Sequence, residues 1–255
     1  MNNLMKLFAL NRANAERRFE VKAEADEATI YLYDAIVSDE LTAEWWGGVS
    51  KMAFIKELNA LTAPVIHLRI DCPGGDVFAA RAMERAIREH SSKVIAHIDG
   101  YAASAASFLA LACDEVVIAK GGFFMIHKAW TFAYGNSDDL LKVADLLDKI
   151  DVSLVGTYEQ ETKLSAAAIE TYMAEETWFN AEESLKFGFA DSIAEDAQKS
   201  AAWDMSAYAH APATVQAKTL TPDPETIDPE TKYINEDHRA RQQQRLNVLE
   251  RTQLG

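Results

Sequence analysis

The stretch VIAHIDGYAASAASF, residues 94–108, decides the predicted fold of this chain. Residues 94–98 form an apolar run typical of a short buried strand, Gly100 predicts a turn, and the small residues from Ser104 to about Ala112 predict a helix. A serine at the start of a helix faces unpaired backbone N–H groups, which stabilise developing negative charge. Ser104 is therefore a candidate nucleophile. Close packing of a buried, alanine-rich helix is the alternative explanation of the same stretch.

The same order of strand, glycine turn and helix occurs earlier in the chain. An apolar run at residues 65–70 leads into Pro73-Gly74-Gly75, and a helix is predicted over residues 77–90. Further strands are predicted at residues 115–119 and 123–126. Because strands alternate with helices, we predict an α/β domain with mainly parallel, buried strands joined by right-handed crossovers.

The chain divides into three predicted segments. Residues 1–28 are charged and alanine-rich and predict an N-terminal arm, residues 29–195 form the domain, and residues 196–255 predict a Pro-containing acidic linker with a flexible charged tail. Within the domain, one helix is predicted from Thr42 to Ile55. A long apolar stripe beginning at Ser137 predicts a helix that projects beyond the core.

Composition excludes several classes of function. The 255 residues carry a net charge of -15, whereas a nucleic-acid-binding surface needs clustered Lys and Arg. Two cysteines offer neither a disulfide framework nor a thiolate cluster for zinc, which indicates a reducing compartment. No apolar run approaches the roughly 20 residues that span a bilayer. We therefore expect a cytoplasmic protein that needs no metal or cofactor and binds neither membrane nor nucleic acid.

Acyl transfer needs a nucleophile, a base, a group that orients the base, and N–H donors for the oxyanion. His127 is the candidate base because it ends a predicted strand, where the functional side chains of α/β domains gather. The glycines after Pro73 are candidate donors because their N–H groups can face a ligand without a side chain in the way. The other histidines lie within strands, at a helix end or in the tail: His67, His90, His97, His210 and His238.

Together these motifs carry a resemblance. Pro73-Gly74-Gly75, then Ala102-Ala103-Ser104 with the serine 29 residues on (75 to 104), then Met125-Ile126-His127 with the histidine 23 further (104 to 127), follow each other in order. This pattern resembles the proteolytic subunit of the Clp protease family, and in particular the shorter Clp-like proteases of phages and prophages. The resemblance covers roughly residues 29–195.

The resemblance implies roles for individual residues. Ser104 would be the nucleophile, His127 the general base and then acid, and the backbone N–H groups of Gly75 and Ala105 the oxyanion hole. Ser107 is the competing serine. We favour Ser104 because it follows the alanine pair and because Ser107, one helical turn on, would face away from the entry turn.

The third catalytic residue is where this chain departs from the family pattern. The family places an aspartate shortly before an aromatic residue, and the aligned position here, 49 residues after the histidine (127 to 176), is Glu176. Glutamate orients the histidine in other Ser-His hydrolases. Glu175 is the alternative acid. A third possibility is that both residues are solvated surface charges.

The resemblance also implies an architecture: a Clp/crotonase-like spiral of strand-strand-helix units with a protruding handle helix, here from Ser137 to about Lys163. It implies a homo-oligomeric ring, stacked in pairs, that hydrolyses peptide bonds. The phage relatives imply capsid or scaffold proteins as substrates during prohead maturation, and a location within the procapsid. The cleavage specificity, the ring size and an ATP-driven unfoldase partner stay open.

Two other functions remain in view. A crotonase-type acyl-CoA enzyme would share the fold and the paired N–H groups, but it has no necessary role for Ser104 with His127. A non-enzymatic assembly protein could keep the fold after its catalytic residues had changed. Glu176, which departs from the aspartate of the family pattern, is the reason for keeping this alternative.

Overall fold

Strands and helices alternate along the computed structural model, which describes residues 18–194 and residue 210. The strands of this part are β1 (Arg18–Ala23), β2 (Glu27–Tyr33), β3 (Ile36–Val37), β4 (Val49–Ser50), β5 (Val65–Cys72), β6 (Lys93–Ala103), β7 (Glu115–Ala119), β8 (Phe123–Ile126), β9 (Thr177–Phe179) and β10 (Ser192–Ala194). The helices are α1 (Glu40–Trp46), α2 (Lys51–Ala60), α3 (Val77–Glu89), α4 (Ala105–Ala110), α5 (Ser137–Glu161), α6 (Ala166–Ala174) and α7 (Ala181–Phe187).

One sheet organises these elements, with strand order β1-β2-β5-β6-β7-β10. The neighbours from β2 to β10 pair in parallel, whereas β1 pairs with β2 in antiparallel fashion. The face covered by helices is fully buried, as shown by Ile30, Ile66 and Ile98 on three adjacent strands. The predicted α/β fold with a mainly parallel sheet is confirmed. The other face of the sheet is only partly buried, because buried and partly buried residues alternate along β2 and most of β5.

The end of β6 differs from the prediction. The sequence predicts a turn at Gly100, but β6 runs through Gly100 to Ala103 because the strand changes partner along its length. Residues Ile95–Ile98 pair with β7, and residues Tyr101–Ala103 pair with β8. Ser104 therefore follows directly on a strand end and lies beside β8.

The N-terminal boundary also differs. Residues 18–23 lie within the predicted N-terminal arm, yet they form β1 at the edge of the sheet. The charged composition hides a period of two, in which Phe19 and Val21 pack against the core while Lys22 is exposed. The ring of Phe19 lies 6.3 Å from that of Phe54, so the ordered domain begins at least ten residues earlier than predicted.

The single helix predicted from Thr42 to Ile55 is two helices. Gly47 and Gly48 have φ of 80° and 106°, which breaks the first helix after Trp46. Asp39 caps α1 and Ser50 caps α2, each through a side-chain oxygen. The result is an excursion, residues 38–48, that leaves the parallel pair formed by β3 and β4 and returns to it.

Helix α5 is the predicted projecting helix. Its second half packs on the core through Leu154 and Tyr158, which are buried, whereas Leu140 and Leu141 in its first half are 45% and 63% exposed. A helix of 25 residues is about 37 Å long, and its buried residues lie in its second half. Among the described helices, α5 included, none is long and apolar enough to cross a membrane.

Candidate active site

Ser104 occupies a strained corner between β6 and α4. It is the N-cap residue of α4 with φ 54° and ψ -124°, a positive-φ conformation outside the left-handed helical region that a non-glycine residue rarely adopts. A serine at this position ordinarily caps its helix, but the Ser104 side chain makes no capping hydrogen bond. The strained corner thus directs the hydroxyl away from the helix and leaves it available for another partner.

That partner is His127. The register of β6 and β8 pairs Ala103 with Met125, and the N–H of Ser104 donates to the carbonyl of Met125 at 2.9 Å. His127 follows two residues later, at the end of β8. Its Nε2 lies 2.7 Å from Oγ of Ser104, which is the hydrogen-bond geometry required between a nucleophile and its general base.

The predicted glycine turn lies against the same corner. Gly74 has φ 88°, and a Cβ at this position would lie 2.7 Å from Cβ of Ser104 and 2.8 Å from the backbone nitrogen of Ala105. Only glycine allows this approach. Ala105 is the first residue of α4, so its N–H has no acceptor within the helix, and its backbone nitrogen lies beside Gly74.

Gly75 is fixed by β3. It has φ 143°, and a Cβ there would lie 2.0 Å from the carbonyl oxygen of Ile36. An isolated parallel β-bridge joins Ile36 to Gly75. In it the Ile36 N–H donates to the Gly74 carbonyl at 2.8 Å, and the Asp76 N–H donates to the Ile36 carbonyl at 2.9 Å. This pattern does not use the Gly75 N–H. The structure therefore brings the backbone of both predicted oxyanion donors, Gly75 and Ala105, to the Ser104 corner.

Glu176 has the second unusual backbone conformation. Among the described residues, Ser104 and Glu176 are the two non-glycine residues with positive φ, and the angle at Glu176 is 51°. The residue sits between α6 and β9, and β9 pairs with β8, which carries His127 at its end. Its side chain is partly buried, whereas the alternative acid Glu175 is exposed. Strain of this kind is retained where the surrounding structure imposes it, often at functional sites.

Electrostatics connect Glu176 to the base. Burial of the His127 ring disfavours the charged imidazolium and lowers the pKa of His127 to about 4, and the nearby Glu176 carboxylate opposes that shift. His127 is therefore neutral near pH 7 and able to accept a proton from Ser104. Glu176 is placed to stabilise the imidazolium that this transfer creates.

Comparison with known proteins identifies the family. The Clp protease family model matches residues 14–197, which is more than two thirds of the chain. The chain belongs to the Clp protease family.

Curated relatives in this family bear the name ATP-dependent Clp protease proteolytic subunit. The Deinococcus radiodurans protein is 30% identical over 130 residues, which cover 50% of this chain and 64% of the relative, so less than two thirds of that protein is spanned. Subunit 2 of Treponema denticola is 25% identical over 193 residues, covering 73% and 95%. Subunit 1 of Protochlamydia amoebophila is 28% identical over 172 residues, covering 66% and 81%. The Clp protease family comprises serine peptidases that form oligomeric rings and act on proteins.

Ser107, the competing serine, is buried and hydrogen-bonded within this Clp protease fold. Its hydroxyl is buried, donates to the carbonyl of Ser104 at 2.5 Å and lies 2.7 Å from the hydroxyl of Tyr158 on α5. These bonds connect the first turn of α4 to the projecting helix. Burial also raises the pKa of Tyr158 to about 12, so the phenol stays protonated. Ser107 is therefore engaged in the packing of this corner, whereas the Ser104 hydroxyl lies within hydrogen-bond distance of His127.

A cavity of about 370 Å³ opens beside Ser104 and His127. Gly75 and Ala105 also line it, and most of its remaining wall is apolar. That wall is supplied by α3, α4 and α5 through Val77, Phe78, Phe108, Val143, Leu146, Leu147, Ile150 and Leu154. Ser38 and Thr42 of the excursion add the polar edge. Sequence reasoning missed these lining residues, because their side chains converge only after α5 folds back over the sheet.

The described residues contain no group of side chains suited to binding a metal ion. In residues 18–194 and at residue 210, no group of three or more His, Cys, Asp or Glu side chains is arranged to hold a metal ion. Cys72 lies directly before the glycine turn, and burial raises the pKa of its thiol, so it packs as a neutral side chain.

Proposed function

We propose that this protein is a serine endopeptidase that cleaves peptide bonds through an acyl-enzyme on Ser104. The observation that carries the proposal is the 2.7 Å contact between Oγ of Ser104 and Nε2 of His127 at a strained corner beside two backbone N–H groups. His127 takes the proton of Ser104 while Oγ attacks the scissile carbonyl. The Gly75 and Ala105 N–H groups donate to the resulting oxyanion.

The remaining steps follow from the same groups. The imidazolium of His127, stabilised by the Glu176 carboxylate, donates its proton to the leaving amine as the tetrahedral intermediate collapses. Water then enters, His127 removes its proton, and attack on the ester releases the acid and restores the Ser104 hydroxyl. In this scheme the chemistry needs no metal or cofactor.

The apolar cavity supports a substrate preference. Phe78, Phe108 and Leu146 form a wall that would favour burial of a large apolar side chain next to the scissile bond. Fluorogenic peptides that differ only at that side chain test this preference. We expect Leu, Met or Phe to give the highest kcat/KM and Asp the lowest, with activity abolished in Ser104→Ala. Equal rates across the series would contradict the proposed pocket.

The exposed handle supports assembly into a stacked homo-oligomeric ring. Phe132 and Tyr134, in the segment before α5, are 69% and 88% exposed, and α5 adds further exposed leucines. Several large exposed apolar side chains on one segment are typical of an interaction site. In light scattering after size exclusion, Phe132→Ser with Tyr134→Ser should reduce the assembly. The control pair on α1, Leu41→Ser with Trp45→Ser, removes two side chains that are each 64% exposed and should leave the assembly unchanged. A monomeric wild-type protein would contradict the proposal.

Capsid or scaffold proteins are the natural substrates we propose, on the resemblance to phage-type Clp-like proteases. Mass spectrometry of protein termini in producing cells, with wild-type or Ser104→Ala protein, tests this. New termini in capsid-assembly proteins that depend on Ser104 would support it, whereas termini only in unrelated proteins would favour general turnover. An acyl-CoA hydrolase assay addresses the crotonase-type alternative, for which the Ser104–His127 contact has no role.

A further inference from the structure

His210 contacts the turn that carries the proposed catalytic acid. Its backbone N–H donates to Oε1 of Glu176 at 2.7 Å, and its ring Nδ1 lies 2.7 Å from the carbonyl oxygen of Glu175. Because a carbonyl oxygen only accepts, the ring nitrogen must be the donor in the second bond. A residue 34 positions downstream, in the segment predicted to be a linker and tail, thus holds this turn at two points.

The turn needs such support for a physical reason. Glu176 has φ 51°, so its backbone is not in a relaxed conformation, and its side chain has one more rotatable bond than the aspartate of the family pattern. A longer carboxylate orients a histidine well only if its rotamer is restrained. An N–H donor on Oε1 of Glu176 restrains the rotamer and does not engage the second carboxylate oxygen.

The contact does not block the site. The cavity beside Ser104 is lined by neither Glu176 nor His210, so His210 approaches the carboxylate from outside the substrate cleft. His210 is also exposed, so its backbone is not held by burial in the core. The contact therefore has the placement of a positioning interaction and not that of an inhibitor.

We propose that the main-chain N–H of His210 positions Glu176 against His127, which makes His210 part of the assembled active site. This inference rests on the proposed function, in which Glu176 orients the base. It also assigns a positioning role to a residue beyond the predicted domain boundary at residue 195.

The test compares two variants at one position in the full-length protein. His210→Pro removes the backbone donor, whereas His210→Ala keeps that donor and removes only the ring. A hydrogen bond to a charged group corresponds to about a 10- to 100-fold effect. We expect kcat of the Pro variant to be lower than that of the Ala variant by about this factor, with KM little changed because the cavity is untouched. Equal kcat values would overturn the inference.

A second comparison separates positioning from misfolding. In a Glu176→Gln background, His210→Pro should cause little further loss of kcat, because its effect passes through the carboxylate. A full additional loss in that background would show a general structural effect and overturn the inference. Failure of the proposed function is distinguishable, since it would appear as absent or Ser104-independent hydrolysis in the wild-type protein.

Discussion

Ser104 and Glu176 are single residues whose unusual backbone angles shape the site. Both are held at positive φ, which costs on the order of 1–3 kcal/mol each, and both lie where a strand of the β6-β8-β9 group begins or ends. The sequence motifs identify Ser104 and His127 because the residue types and spacing are distinctive. Nothing in the sequence reveals the backbone angle at Glu176.

The carboxylate at position 176 gives the first prediction at this scale. Glu176→Gln keeps the size of the side chain but removes the charge that stabilises the His127 imidazolium. By analogy with neutralising a triad acid, kcat should fall by up to about 10⁴-fold. Steady-state hydrolysis of an apolar peptide measures this, with Glu175→Gln as the exposed neighbouring control. If Glu175→Gln shows the larger loss, the two roles are exchanged.

The base gives a prediction in pH. The pKa of His127 is lowered to about 4, so the imidazole stays neutral, and therefore active, well below its ordinary pKa of 6.5. The acid limb of kcat/KM should lie below pH 6.5. The Glu176 carboxylate raises the pKa of His127, so its removal should lower that pKa and move the acid limb to still lower pH. A limb that moves upward in Glu176→Gln would contradict the assigned contact.

Gly75 gives a prediction about the oxyanion turn. A Cβ at this position would lie 2.0 Å from the Ile36 carbonyl, so Gly75→Ala must displace either β3 or the glycine turn. A displacement of about 1 Å near the reacting atoms can cost on the order of 100-fold in rate. We expect kcat to fall at least that far. Gly121→Ala is the control, because a Cβ there meets nothing within 4 Å.

At the scale of elements, the strand and helix order could be predicted but the pairing of β6 could not. The run at residues 94–98 and the helix beginning after Ser104 are visible as local patterns. The extension of β6 through Gly100 depends on β8, which pairs with residues 101–103 and is formed by later sequence. Likewise, the charged residues of β1 conceal an alternation that matters only once β2 is beside it.

The edge strand β1 supplies a prediction about stability. Phe19 packs against the core and lies 6.3 Å from the ring of Phe54, although it is only partly buried. Phe19→Ala should lower the free energy of unfolding by about 1–2 kcal/mol, less than for a fully buried phenylalanine. Thermal or urea unfolding measures this. Lys22→Ala, on the exposed side of the same strand, is the control, and an equal effect of both would argue against a packed β1.

At the scale of the whole molecule, one feature joins fold, site and assembly. Helix α5 buries Tyr158 against Ser107 at the Ser104 corner, lines the cavity through Leu146 and Ile150, and exposes apolar side chains at its far end. In the proposed ring, the exposed end of α5 and the cavity wall therefore belong to one helix. The predicted linker and tail, residues 196–255, lie outside the described residues except for His210, and the boundary at 195 stays a prediction.

The central claim is that Ser104 is the nucleophile and His127 its base. Fluorophosphonate labelling of the purified full-length protein, followed by peptide mapping, tests it most directly, because the label reports which serine reacts. We predict a single label on Ser104 that is lost in Ser104→Ala, strongly slowed in His127→Ala and retained in Ser107→Ala. Undiminished labelling of Ser104→Ala, or a label on Ser107, would contradict it.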